Sequence, residues 1–260
     1  MIDVFGLSPA QVETFFLIFI RCSVIIAVMP IFGATQIPVM VRVALGLLIS
    51  FVVYRTVPTM PLIGSLDQFA IAVVSQAVVG LLFAFVVQLV FMGIQFAGEI
   101  LDIQIGFAVA NIINPTTQQS VTIIGELQLA LATLLFLVTD SHLLLFQGLG
   151  GSFNLLPLPW ITLSSGAQAS LILFFSQALL IVFKVAAPAA IAMFLVNVGL
   201  AFLSRVAPQM NIFVVGFPIQ IAVGLFMLVL TLPLLGYALP GIFAQLPRQL
   251  DTMLRALRPV

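Results

Sequence analysis

The chain has 260 residues, of which 63% are hydrophobic and only 6% charged. Soluble domains carry about a quarter charged residues, so this composition marks an integral membrane protein. Basic and acidic residues balance to a net charge of zero, which excludes the basic field that nucleic-acid binding requires.

The N-terminal segment carries Asp3 and Glu13 where a secretory signal would be basic, and Arg21 interrupts its apolar run. The first hydrophobic segment is therefore expected to be retained. Ser8-Pro9 reads as a helix start, with Ser8 as N-cap and Pro9 at the first helical position. The apolar run continues to Met29, and Cys22, the only cysteine, lies inside it as a small core hydrophobe. Pro30, Gly33 and Pro38 mark a loop. A second run, Val39 to Val57, contains Arg42, and Pro61 and Gly64 form the next connection.

After Asp67 no charge occurs until Glu99. Those roughly 31 residues make about 46 Å of helix, against a hydrocarbon core of about 30 Å, so the segment must tilt, bend or project. Gln88, Met92, Gln95, Glu99 and Asp102 then recur at spacings of four and three, which places them on one helical face. Gly106 breaks the pattern, and Asn111, Asn114, Pro115, Thr116, Thr117, Gln118 and Gln119 follow as turn chemistry. Non-helical backbone at membrane depth must be buried by protein or wetted. The stretch reads equally as an extramembrane loop or as a re-entrant, pore-blocking segment.

The pattern predicts a helix from about Val121 to Gln147 containing Glu126 and Asp140, then a long loop through GLGG and NLLPLPW, with Trp160 as an interfacial anchor. A second overlong apolar segment starts at Leu163 or Ala167 and runs to Val198, carrying Lys184 and Pro188. SRVAPQMN is a tight polar turn, Ile212 to Leu235 the last long apolar run, and Leu246 to Leu257 an amphipathic tail with Arg248, Arg255 and Arg258. The expected fold is an all-α membrane protein of about six to seven hydrophobic helices, some overlong. The Arg205 turn and the basic tail both look cytoplasmic under the positive-inside rule, yet one apolar run separates them. A simple serpentine is thus in doubt.

Arg21, Arg42, Glu99, Asp102, Glu126 and Lys184 lie within or beside apolar segments. Each costs at least about 2.5–3.5 kcal/mol near the bilayer centre and must meet water or a partner. An ion path, a substrate cavity and burial against other subunits all fit. An enzyme reading is weak. Asp140-Ser141-His142 holds triad residue types, but adjacent helical residues point apart and cannot form that geometry. His142 is the only histidine, so H-E-x-x-H is excluded, and no phosphate or dinucleotide loop occurs. No metal or other cofactor is expected.

Residues 200–225, LAFLSRVAPQMNIFVVGFPIQIAVGL, resemble the FliR family of flagellar type III export-gate proteins. Residues 20–50 resemble that family's N-terminal signature. Residues 98–120 resemble its middle one, in which G-x-x-x-D-x-Q-x-G-F (Gly98, Asp102, Gln104, Gly106, Phe107) leads into an Asn-Pro turn. Three blocks in matching order span nearly the whole chain.

The resemblance implies one membrane-embedded domain, with residues 1–160 related to FliP-like subunits and residues 161–260 to a FliQ-like helical hairpin and tail. It implies helical hairpins within a hetero-oligomeric export gate in the bacterial inner membrane, at the flagellar basal body. FliP-like, FliQ-like, FlhA-like and FlhB-like proteins would be partners, unfolded flagellar subunits the cargo, and membrane lipid the surroundings. A plug is expected at residues 107–120, with Gly106, Phe107, Val109, Asn111, Ile112, Ile113, Asn114 and Pro115 as its gate residues. Gln95, Glu99, Asp102 and Gln104 would form a polar channel or interface face. Arg21, Arg42, Lys184, Arg205, Pro208, Gln209 and Asn211 would meet other subunits. Injectisome homologues share these blocks, and a polytopic ion or solute transporter is the alternative from another class.

Overall fold

A computed structural model describes residues 8–33, 37–107, 122–159 and 165–257. The described residues form eight helices: α1 (Pro9–Val28), α2 (Val39–Tyr54), α3 (Leu66–Ile105), α4 (Ile123–Val138), α5 (Ser141–Leu155), α6 (Ser165–Val206), α7 (Ile212–Phe243) and α8 (Leu246–Ala256). The first seven are apolar and the eighth is amphipathic, in accord with the all-helical membrane class.

α1 starts as its sequence dictates. The Ser8 hydroxyl accepts from the Gln11 N–H while the Gln11 side chain accepts from the Ser8 N–H at 2.8 Å, with Pro9 in the first turn. This capping box satisfies two donors that a helix start otherwise leaves open. α1, α3, α6 and the run Val214–Ala256, which starts in α7, are each long and apolar enough to cross a membrane. α4 and α5, with 16 and 15 residues, are each too short to span alone. α2, with 16 residues, reaches only about 24 Å. α3 and α6, with 40 and 42 residues, reach about 60 Å and exceed the hydrocarbon core twofold.

Two expectations are corrected. The segment expected as one helix from Val121 to Gln147 is two, broken at Thr139 and Asp140, where Asp140 adopts a left-handed backbone with φ 54°. GLGG, expected in a loop, lies inside α5. Glycine lowers helix propensity by about 1 kcal/mol, and tertiary packing outweighs that here. Gly148 sits against Phe83 and Leu250, and Leu145, Leu149 and Phe153 are buried along the same helix.

The chain divides into two compact units. One comprises Met1–Leu89, Asp140–Phe175 and Ala244–Val260; the other comprises Val90–Thr139 and Ser176–Phe243. In the first, α1 packs on α2, and α5 packs on α8. α8 buries Leu246, Leu250, Met253 and Leu254 while Arg248 and Arg255 stay exposed, so its apolar stripe is used within the unit. In the second, α4 packs on α7. Phe91, Phe136 and Phe243 form a closed aromatic cluster with centroids 5.1–5.6 Å apart. Leu101, Ile105, Ile124, Ala189, Met193 and Leu228 join α3, α4, α6 and α7 in a core.

Candidate functional site

The polar face of α3 ends at the segment where a plug is expected, and Asp102 lies at the centre of its geometry. Its side chain is 3% exposed. Both carboxylate oxygens accept from the Ile124 N–H at 3.1 Å, and Oδ2 also accepts from the Gly125 N–H at 3.2 Å. These are first-turn amides of α4, the end of a helix that favours negative charge. The Asp102 carbonyl meanwhile accepts from the Gly106 N–H at 3.2 Å. One residue thus holds the backbone on both sides of residues 107–122.

Two glycines let the carboxylate reach those amides. A Cβ on Gly98 would stand 2.6 Å from the Gly125 Cα, and one on Gly125 would stand 3.1 Å from the Gln95 carbonyl. The α3 and α4 backbones therefore touch. Gly106 is required for a different reason: its φ is +93°, a conformation that glycine alone adopts at little cost. The turn it makes ends α3 and directs Phe107 onto the core around Leu101 and Ile105. Val109, Asn111, Ile112, Ile113, Asn114 and Pro115 lie outside the described residues.

The remaining α3 residues face different neighbours. The Gln95 amide donates to Glu126 Oε1 at 3.3 Å, and Glu99 stands beside Asp102 and Glu126. Gln104 lines a cavity of about 560 Å³ with Gly106, Asn197, Ser204, Phe217 and Gln220. Across it the Gln220 amide donates to Asn197 Oδ1 at 2.6 Å. Among the described residues no charged side chain lines this cavity.

Arg21 is fully buried within the first unit. Its Nε and Nη2 donate to Gln76 Oε1 at 2.8 and 2.5 Å; Nη1 donates to Ser152 Oγ at 3.1 Å and Nη2 to the Leu156 carbonyl at 2.9 Å. The Phe153 ring lies 4.1 Å from the guanidinium carbon. The cation is thus held by neutral acceptors and an aromatic face. Glu13, eight residues earlier, accepts instead from the Ile63 N–H at 2.9 Å. Arg42 donates from Nε and Nη2 to the Ile37 carbonyl at 3.1 and 2.9 Å. Lys184 is exposed on α6. Arg205, Pro208, Gln209 and Asn211 are exposed at the turn between α6 and α7, where Arg205 occupies the last turn of α6 and complements its dipole. Sequence patterning missed Gln76 and Ser152, because their chemistry depends on contacts 55 and 131 residues from Arg21.

Long apolar helices, a polar-faced α3 and inward-held charges together define a multi-pass helical membrane protein. The family described as bacterial export proteins, family 1, matches residues 12–246, and the chain belongs to it, among the FliR proteins. It is 28% identical to the flagellar biosynthetic protein FliR of Bacillus subtilis (strain 168), over 94% of both chains. The corresponding FliR of Pectobacterium carotovorum is 34% identical over 86% of both. The Yop proteins translocation protein T of Yersinia pestis is 32% identical over 82% of both.

Proposed function

We propose that this chain is a subunit of the flagellar type III protein export gate, with the segment after α3 acting as the plug of a channel for unfolded flagellar subunits. The gate would sit in the inner membrane at the flagellar basal body. FliP-like and FliQ-like subunits would be its neighbours, and FlhA-like and FlhB-like proteins its export partners. Residues 1–160 would supply the FliP-like part and residues 161–260 the FliQ-like hairpin.

The observation that carries this reading is the double hold of Asp102 on Gly106 and on Ile124 and Gly125. A segment anchored at both ends can change position without unravelling the helices that flank it. Phe107 to Ile113 offers apolar bulk, and hydrophobic constrictions gate by dewetting; Asn114 to Ser120 offers polar groups suited to a wet vestibule.

Shortening residues 108–118 in the assembled complex tests the plug. The expected result is a complex that still assembles but leaks ions, with export partly retained. Wild-type conductance in that assembled complex removes the plug. The similarity to the Yop translocation protein T supports an injectisome role as second reading. Restoring motility to a strain lacking its FliR, but not secretion to one lacking the injectisome homologue, separates the two.

A further inference from the structure

We propose that Lys184 is the cationic half of an ion pair buried in an apolar interface, its other half being a carboxylate on an apolar helix of another chain. The inference rests on the reading of this protein as one subunit of a membrane complex and adds the chemistry of one contact.

Lys184 lies near the middle of α6 (Ser165–Val206), about 28 Å of helix from one end and about 33 Å from the other. No other charged residue occurs between Asp140 and Arg205. The side chain is exposed, and among the described residues no hydrogen bond or ion pair reaches it. Pro188, one turn later, has no N–H to return to the Lys184 carbonyl. The same turn therefore presents an ammonium and a carbonyl that lacks its usual i+4 donor.

The surface around it is apolar on both sides. Leu180 is 55% exposed and Phe183 65% before it, Ile191 62% and Phe194 63% after it, and Leu234 58% on α7. A cavity of about 100 Å³ beside Lys184 is lined by Pro188, Thr231, Leu235 and Ala238; the Thr231 hydroxyl donates to the Leu228 carbonyl, so the cavity offers no anion. The three carboxylates of this unit are otherwise placed: Asp102 holds α4, Glu126 accepts from Gln95, and Glu99 stands beside those two.

A lone ammonium in such a surface is costly to leave in hydrocarbon. Snorkelling to a lipid phosphate would bring the headgroup layer to Lys184 and wet the large apolar side chains on one side of it or the other. A helix with apolar side chains and a single Asp or Glu covers the apolar surface and supplies the anion. Contacts of that kind fix the register between packed helices.

Carbodiimide treatment of the intact complex, isolated through a tag on this chain, tests the proposal. The reagent condenses an amine with a touching carboxylate into an amide, with net loss of water. Peptide mass spectrometry is expected to find Lys184 joined to an Asp or Glu of a second chain. Lys184→Arg should retain assembly, and Lys184→Met should lower recovery of the second chain at least tenfold. A cross-link only to this chain's own carboxylates overturns the proposal, as does the absence of any Lys184 cross-link. Full assembly of the Lys184→Met protein with loss of bound anionic phospholipid also overturns it and makes Lys184 a headgroup contact. If the wild-type chain co-purifies with no other membrane protein, the subunit reading itself fails; if partners co-purify without the cross-link, only this inference does.

Discussion

Asp102 accepts hydrogen bonds from the Ile124 N–H through both its carboxylate oxygens, each at 3.1 Å. A side chain of α3 thereby caps α4, taking the place of a local N-cap, since Thr122 makes no side-chain cap bond. Removing such a cap leaves buried amides unsatisfied, at about 1–3 kcal/mol. Asp102→Ala is expected to lower stability by that amount and to speed hydrogen exchange at the Ile124 and Gly125 amides. Asp102→Asn, which keeps an acceptor but loses the charge, should fall between it and wild type. Unchanged exchange in Asp102→Ala would show that the cap does not hold α4.

The spacing of Gln95, Glu99 and Asp102 shows a polar face, but the direction in which each residue looks depends on what packs there. Asp102 turns inward because Gly98 and Gly125 let α4 approach, and nothing local in the sequence pairs those two glycines. The break at Asp140 was partly legible: TDSH interrupts the apolar run with four polar residues, but VTDSHLL has neither proline nor glycine to mark a sharp bend. Ser8-Pro9, in contrast, was legible because a capping box is wholly local. Helix class and overlong segments were legible for a similar reason, since composition and run length alone determine them.

Gly98 and Gly150 should respond oppositely to alanine. At Gly98 the added methyl meets the α4 backbone at 2.6 Å, where no flexible side chain can yield. Overpacking of this kind costs about 1–3 kcal/mol. At Gly150, inside α5, nothing lies within 4 Å, so alanine should raise stability by about 0.5–1 kcal/mol through backbone entropy. Thermal unfolding of the two variants in the same detergent checks the sign of each; a stabilising Gly98→Ala would contradict the close approach of α3 and α4.

Arg205, Gln209 and Asn211 crown an exposed turn next to Val206, which is 81% exposed. If this tip packs on a neighbouring subunit, Arg205→Glu should reduce recovery of the complex severalfold and impair motility. It also places a negative charge in the last turn of α6, a dipole penalty of only about 0.3–1 kcal/mol. Loss of assembly with a folded subunit would therefore report the interface. Normal assembly and motility would make the tip a plain solvated turn.

Arg21 should be among the least replaceable side chains of the first unit. Its guanidinium joins α1 to Gln76 on α3, to Ser152 on α5 and to the Leu156 carbonyl, and no carboxylate among the described residues shares in the network. Arg21→Ala removes the fork, strands Gln76 Oε1 and the Leu156 carbonyl, and empties a large buried volume, so a loss of about 3–5 kcal/mol is expected. Lysine keeps the charge but cannot reproduce a planar fork that reaches three residues at once; Arg21→Lys should recover only a minor part of the loss. Gln76→Glu is the sharper comparison. It brings a counter-charge to the guanidinium, yet the Gln76 amide also donates to the Pro159 carbonyl at 2.8 Å, and a carboxylate there would meet that oxygen without a proton. Gain and loss oppose each other, so Gln76→Glu should change stability far less than Arg21→Ala. Detergent thermal unfolding of the four proteins, wild type included, gives the order. An Arg21→Ala protein as stable as wild type would mean that the buried cation contributes nothing to joining α1, α3 and α5.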